Sequence, residues 1–222
     1  MISVTDRNAD LTELELDALT ELVNLGVSRA AVSLREMVGE QVLLSVPNVR
    51  LVSREQAVRT LGQREDNRLV AVHQIFEGDI TGRALLIFPE TKSLELVRAV
   101  TGGELPLEDI IELEQEALAE TGNIVLNGCL ATIANVLQRT LKVSLPEVIR
   151  GGGPDLLAMA GASEEEDVVL FLYIDFCVNE RDIRGYIALL MDLSSLESMR
   201  KVLQDFIQRT IGQIPPVAHV AP

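Results

Sequence analysis

Two segments of this 222-residue chain each carry a carboxylate, a carboxamide three residues later, and a proline twenty-three residues beyond the amide. The first set is Glu21, Asn24 and Pro47; the second is Glu120, Asn123 and Pro146, every member displaced by 99 residues. A carboxamide offers one acceptor oxygen and two N–H donors, so it is neither a strong base nor a nucleophile. It can align a water molecule for attack, as a glutamine does in GTP-hydrolysing proteins. A carboxylate one helical turn away can pair with a lysine on a partner. No metal cage, phosphate loop or nucleophile accompanies the pair, so the remaining chemistry must arrive with the substrate.

Helices must aim these groups. Asp17, Glu21 and Asn24 stand at i, i+4 and i+7, within an arc of roughly 60° on a helix. Glu116, Glu120 and Asn123 repeat that stripe, and Glu112 extends it by a turn. Leu14, Leu19, Leu22 and Leu25 recur at helical spacing, predicting a helix over residues 11–38, with Thr12 and Glu15 as a capping pair and Gly39 as its stop. Residues 41–46 predict a strand ended by Pro47, and residues 49–53 a further strand. A short helical piece at 56–61 precedes a hairpin of residues 69–76 and 81–88. A helix follows from Pro89 and Glu90 to about residue 100, closed by Thr101-Gly102-Gly103.

The second half repeats the plan, with a long helix over 107–137, a strand-like run at 141–145 before Pro146, a hairpin of 168–178 and 183–191, and a helix over 194–211. Ser194-Ser195 predicts that helix's cap. Arg150-Gly151-Gly152-Gly153-Pro154 reads as a breaker loop: no Gly-Lys-Ser/Thr follows it, and Pro154 is expected to interrupt any helix. Residues 164–167 predict a solvated acidic turn. Aligning residue 14 with 113 through 47 with 146 gives identities at Leu14, Glu15, Ala18, Leu19, Glu21, Asn24, Ser45 and Pro47. Because the element order recurs as well, the chain is expected to be an internal duplication of α+β class. It should form one pseudo-two-fold body with a mostly antiparallel sheet and long helices on one face. The expected organisation is a flexible lead at 1–10, one domain of two repeats (about 11–103 and 107–211), and a flexible tail at 212–222.

Composition narrows the function. A formal charge of -15 disfavours nucleic acid and anionic membrane surfaces and is compatible with a basic partner group. Cys129 and Cys177 lie in apolar runs without a Cys-x-x-Cys pair, and both are expected to be buried reduced thiols. His73 and His219 have no partners at metal-ligand spacing. No leader pattern and no run of about 18 apolar residues stands out, so the expected compartment is the cytoplasm.

The pattern Asp/Ser-x3-Glu-x2-Asn-x22-Pro resembles the signature of the CheC, CheX and FliY phosphatases of bacterial chemotaxis. The first copy matches throughout, as Asp17, Glu21, Asn24 and Pro47, and residues 24–31 resemble that family's run from Asn through Gly into small residues. The second copy keeps Glu120, Asn123 and Pro146 but places Glu116 at the leading position. Two motifs in a chain of this length look most like CheC. FliY proteins add a C-terminal flagellar-switch domain, for which no room is expected here, and CheX proteins are shorter and generally carry one motif.

The resemblance implies a CheC-like fold and a hydrolase acting on the phospho-aspartate of a CheY-like receiver. The receiver would supply Mg²⁺, the acyl phosphate and a lysine, with no metal or cofactor bound by this chain. Glu21 and Glu120 would engage the lysine, Asn24 and Asn123 would align water, and Asp17, Pro47, Glu116 and Pro146 would support them. It also implies a CheD-like deamidase as a candidate partner. A non-catalytic adaptor for a receiver or for that deamidase is the alternative.

Overall fold

The order helix, strand, short helix, hairpin, helix is laid down twice. A computed structural model describes residues 11–39, 41–62, 68–100, 106–160, 168–178 and 181–212. The first half runs α1 (Glu13–Val38), β1 (Val42–Ser53), α2 (Arg54–Gly62), β2 (Leu69–Gly78), β3 (Gly82–Pro89) and α3 (Glu90–Val100). The second runs α4 (Leu107–Val136), β4 (Leu141–Val143), β5 (Glu147–Gly151), α5 (Gly153–Met159), β6 (Val168–Val178), β7 (Arg181–Met191) and α6 (Leu193–Gly212). The expected lead and tail, the Thr101-Gly102-Gly103 stop, the acidic turn at 164–167 and His219 lie outside the described residues.

All seven strands form one antiparallel sheet, ordered β1-β6-β7-β3-β2-β4, with β5 also on β2. That order is a palindrome of the duplication. Each half's first strand leaves its own hairpin and joins the other half's, β1 on β6 and β4 with β5 on β2. The hairpins meet at the centre through β3 and β7. Side chains alternate across a strand, so the sheet has two packed faces. Val70, Val72 and Phe76 of β2, with Leu170, Leu172, Ile174 and Phe176 of β6, pack under the four long helices. Leu69, Ala71, Val169 and Phe171 face a smaller core closed by Leu61 of α2 and by Leu156 and Leu157 of α5. The α+β class and the long helices on one face stand as expected; the two short helices cover the opposite face.

α1 and α4 cross so closely that a Cβ on Gly26 would lie 2.7 Å from the Cα of Cys129 and 2.8 Å from the carbonyl oxygen of Gly128. Glycine is required there because backbone meets backbone. α4 is the most apolar of the long helices by mean hydropathy. Ile111–Val136 reaches the length and mean hydropathy (1.2) of a membrane-crossing helix, but 56% of that window is buried inside the fold, as befits a core helix.

Several local expectations are revised. Pro47 does not end a strand: β1 runs on through it, with one extra residue between Ser45 and Asn48 opposite Asp175 and Tyr173. Edge strands and bulges tolerate a residue without an N–H. Pro154 does not prevent a helix. It stands in the first turn of α5, where a missing N–H costs nothing, and the Asp155 carboxylate accepts the Gly152 N–H at 3.1 Å. The cap of α6 is Asp192, whose carboxylate accepts from the Ser195 N–H at 2.6 Å and the Ser194 hydroxyl at 2.8 Å, not the serines themselves. Those bonds hold the Asp192 carboxyl below its ordinary range. Cys129 is buried and burial pushes its thiol up to about 12, whereas Cys177 is only half-buried.

Candidate functional site

α1 begins at the Thr12–Glu15 capping box, with the Thr12 N–H donating to Glu15 at 2.7 Å and the Glu15 N–H to the Thr12 hydroxyl at 3.3 Å. Glu15 also accepts from Gln204 at 2.7 Å and Arg200 at 3.2 Å on α6. Burial alone would raise this carboxyl; the bonds from Thr12, Gln204 and Arg200 outweigh it and hold the group below its ordinary range. The repeat-related Glu114 likewise accepts from Ser93 of α3 at 2.6 Å and pairs with Arg150 at 3.1 Å. Each duplicated glutamate thus ties its own helix to a helix of the other half. That fixes how α1 and α4 present their outer faces.

Those outer faces carry the motif carboxylates. Asp17 and Glu21 on α1, and Glu116 and Glu120 on α4, are all exposed. None makes a hydrogen bond or ion pair among the described residues. Leu14 and Leu25 flank the first stripe in the open, and Leu113 borders the second. Each helix therefore presents free negative charge inside an apolar fringe, which suits a partner carrying a cation in an apolar surround.

The two amides are half-buried and bonded differently. Asn24 Oδ1 accepts the Val46 N–H at 2.9 Å, while its Nδ2 donates to the carbonyl oxygens of Val46 and Thr20, both at 3.1 Å. Val46 is the residue before Pro47, at the bulge where the ladder with β6 is interrupted. The asparagine stands in for the missing strand neighbour, and Pro47 brings no further N–H to satisfy. The Asn-x22-Pro spacing has this physical reason in the first half. Both Asn24 donors are occupied, leaving one oxygen lone pair.

Asn123 is held from the opposite end. Its Oδ1 accepts from Asn127 Nδ2 at 2.7 Å and from Gln74 Nε2 at 3.1 Å. Gln74 Nε2 also donates to the Ser144 carbonyl at 2.9 Å, and since a carbonyl only accepts, that bond fixes which end of each amide is which. No described residue accepts from Asn123 Nδ2, so two N–H donors remain available. The segment before Pro146 is no copy of the first. β4 stops at Val143, Ser144 bonds Ile75 of β2 through its N–H (2.8 Å) and its hydroxyl (2.9 Å), and Leu145 projects with 86% of its surface exposed. Val46, its counterpart 99 residues earlier, is buried.

No family model matches the chain. The CheY-P phosphatase CheC of Bacillus subtilis (strain 168) is 26% identical over 202 residues, covering 85% of this chain and 93% of that protein. CheC1 of Halobacterium salinarum is 23% identical over 185 residues, 83% of this chain and 93% of its own. The crystal structure of Thermotoga maritima FliY superposes with a TM-score of 0.69 at 19% identity, covering 88% of this chain and 98% of that one. The chain is thus similar to proteins of the CheC/CheX/FliY family over most of its length. The FliY likeness is one of fold; the CheC relatives add sequence similarity along nearly their whole length.

The structure brings Asp17, Glu21 and Asn24 together on α1 beside Pro47, and Glu116, Glu120 and Asn123 together on α4. The sequence reading missed Gln74, Asn127 and Ser144. One signal was present: the helix-facing row of β2 reads Val70, Val72, Gln74, Phe76, a single amide in an otherwise apolar row. Asn127 stands one turn after Asn123, on the same side of α4. Gln74 is completely buried and its Oε1 has no partner among the described residues, an arrangement that costs about 1–3 kcal/mol. His73 is buried beside Glu147, 3.9 Å from its carboxylate, on the opposite face of β2. Among the described residues no group of His, Cys, Asp and Glu could hold a metal ion.

Proposed function

We propose that this chain hydrolyses the phospho-aspartate of a CheY-like receiver domain. The observation that carries the reading is the duplicated outer stripe, in which an exposed glutamate, Glu21 or Glu120, unpaired among the described residues, precedes a half-buried asparagine by one turn. The name of the Bacillus subtilis relative, a CheY-P phosphatase, supports the substrate class. In this reading the receiver brings its own Mg²⁺, acyl phosphate and lysine, and its compartment is the cytoplasm. Glu21 or Glu120 pairs with the receiver lysine and sets the docking angle. At the second stripe an N–H of Asn123 holds a water by one lone pair, leaving the other to face phosphorus. The water attacks in line, the bond from phosphorus to the aspartyl oxygen breaks, and phosphate leaves the regenerated carboxylate. Positioning of this kind supplies most of what phosphoryl transfer asks of a protein.

The test is the decay of a phosphorylated cognate receiver. Addition of the chain should accelerate decay, and the double change Asn24→Ala with Asn123→Ala should abolish the acceleration. Unchanged decay on adding the intact chain would refute the reading.

One observation favours a binding role for the first stripe: both Asn24 donors are occupied by backbone carbonyls. A stripe that docks a receiver or a CheD-like deamidase without turnover would keep its partner affinity in the double-asparagine variant. A catalytic stripe would keep affinity and lose turnover.

A further inference from the structure

The helix-facing rows of the two hairpins correspond at a spacing of 100 residues: Val70, Val72, Gln74 and Phe76 in β2 against Leu170, Leu172, Ile174 and Phe176 in β6. All eight are buried. Three pairs are apolar in both halves, and the fourth sets Gln74 against Ile174. The fold therefore accepts an aliphatic side chain at this position in one half and carries an amide in the other. The amide is not there to complete a polar core, because its own oxygen is left unpaired.

Its nitrogen bridges two acceptors, the Ser144 carbonyl in the segment before Pro146 and Oδ1 of Asn123. The bridge ties the orientation of the Asn123 amide to the backbone beside Leu145. We infer that Gln74 is a positioning residue for Asn123, holding its oxygen inward so that both N–H donors face the docking surface. Asn127 supplies the second hold on the same oxygen. Together they take both lone pairs, so an amide rotated end for end would set its donors against theirs. The first stripe has no such device, since backbone groups of Val46 and Thr20 hold Asn24 and an isoleucine occupies the corresponding sheet position.

The catalytic half of this inference rests on the phosphatase reading; the positioning half does not. The test combines Gln74→Met with each single asparagine variant in the full chain. With Asn24→Ala present, so that only the second site works, Gln74→Met should lower kcat for receiver dephosphorylation about tenfold or more with KM little changed. With Asn123→Ala present, it should change nothing, whereas general damage to the fold would slow both sites. Gln74→Met removes an unpaired buried acceptor along with the donor to Ser144 and Asn123, so opposing contributions should leave Tm little changed. Side-chain amide NMR supplies a readout independent of activity: the Asn123 NH₂ resonances should shift and broaden in Gln74→Met while those of Asn24 stay in place. Asn127→Ala should move the same Asn123 resonances, covering the case in which Gln74→Met fails to fold. An undisturbed Asn123 resonance, or an equal loss at both sites, overturns the inference. Absence of phosphatase activity in the intact chain would refute the phosphatase reading and leave the resonance shifts to decide the positioning role.

Discussion

Asn24 and Asn123 occupy equivalent places in a duplicated sequence, yet they expose opposite ends of the same functional group. Asn24 has its donors engaged and one acceptor lone pair left; Asn123 has its acceptor engaged and two donors left. The residue before each motif proline differs with them. Val46 is buried and bonded to its asparagine, whereas Leu145 stands out in solvent. Duplication of a motif therefore duplicates an address, and the neighbours decide what the residue at that address can do.

The sharpest way to break this comparison is kinetic. Asn123→Ala should slow dephosphorylation at its site by about a hundredfold, the usual cost of removing one preorganised donor, and Asn24→Ala should cost less. Stopped assays on each single variant with a phosphorylated receiver measure the difference, and equal losses would mean that docking frees Asn24 from Val46. Stability should rank the two residues the other way. Asn24→Ala leaves the Val46 N–H and carbonyl unpaired at the bulge and should cost about 1–3 kcal/mol. Asn123→Ala strands no backbone group: Gln74 keeps its bond to the Ser144 carbonyl, and the half-buried Asn127 amide loses one acceptor. Urea unfolding of the two variants gives the ranking directly.

A third contrast lies one residue before each proline. Val46→Ala empties part of the core and should cost about 2 kcal/mol, whereas Leu145→Ser should stay within about 0.5 kcal/mol and weaken receiver docking instead. The same unfolding measurements, joined to a receiver titration, separate these effects. The smallest effect is acid sensitivity at the base of α1. The Glu15 carboxyl lies below its ordinary 4.5 in the folded chain, so its ionised form adds stability above about pH 4.5, and that contribution fades as pH falls through the lower folded value. Glu15→Gln should flatten this part of the stability profile, and a profile unchanged by the substitution would show that Arg200 and Gln204 hold α6 without the charge.

Much of this molecule was legible before its structure. The two stripes followed from helical spacing, the hairpins from alternation broken by turn residues, and the start of α1 from Thr12 and Glu15. The partner of each strand was not legible, because an alternating pattern fixes which face is buried but does not name a neighbour. Nothing in residues 42–53 says that β1 joins β6 of the other half. Pro47 looked like a strand end because the bulge that admits it depends on an asparagine 23 residues away. Gly153 and Pro154 looked like a break because the same residues that stop a helix inside can open one at its first turn. Gln74 was visible as an odd amide in an apolar row, but its role appears only with Asn123 and Ser144 placed around it.

The exchange of first strands between the halves sets a limit on how this protein can be divided. Cut between α3 and α4, either piece would keep a complete hairpin but lose the strand that borders it, together with the helix anchored by Glu15 or Glu114. The two motif stripes thus stand on different helices but are joint in assembly. A lone repeat is an open edge waiting for its twin, and a gene fragment encoding only one should fold only when the other is supplied.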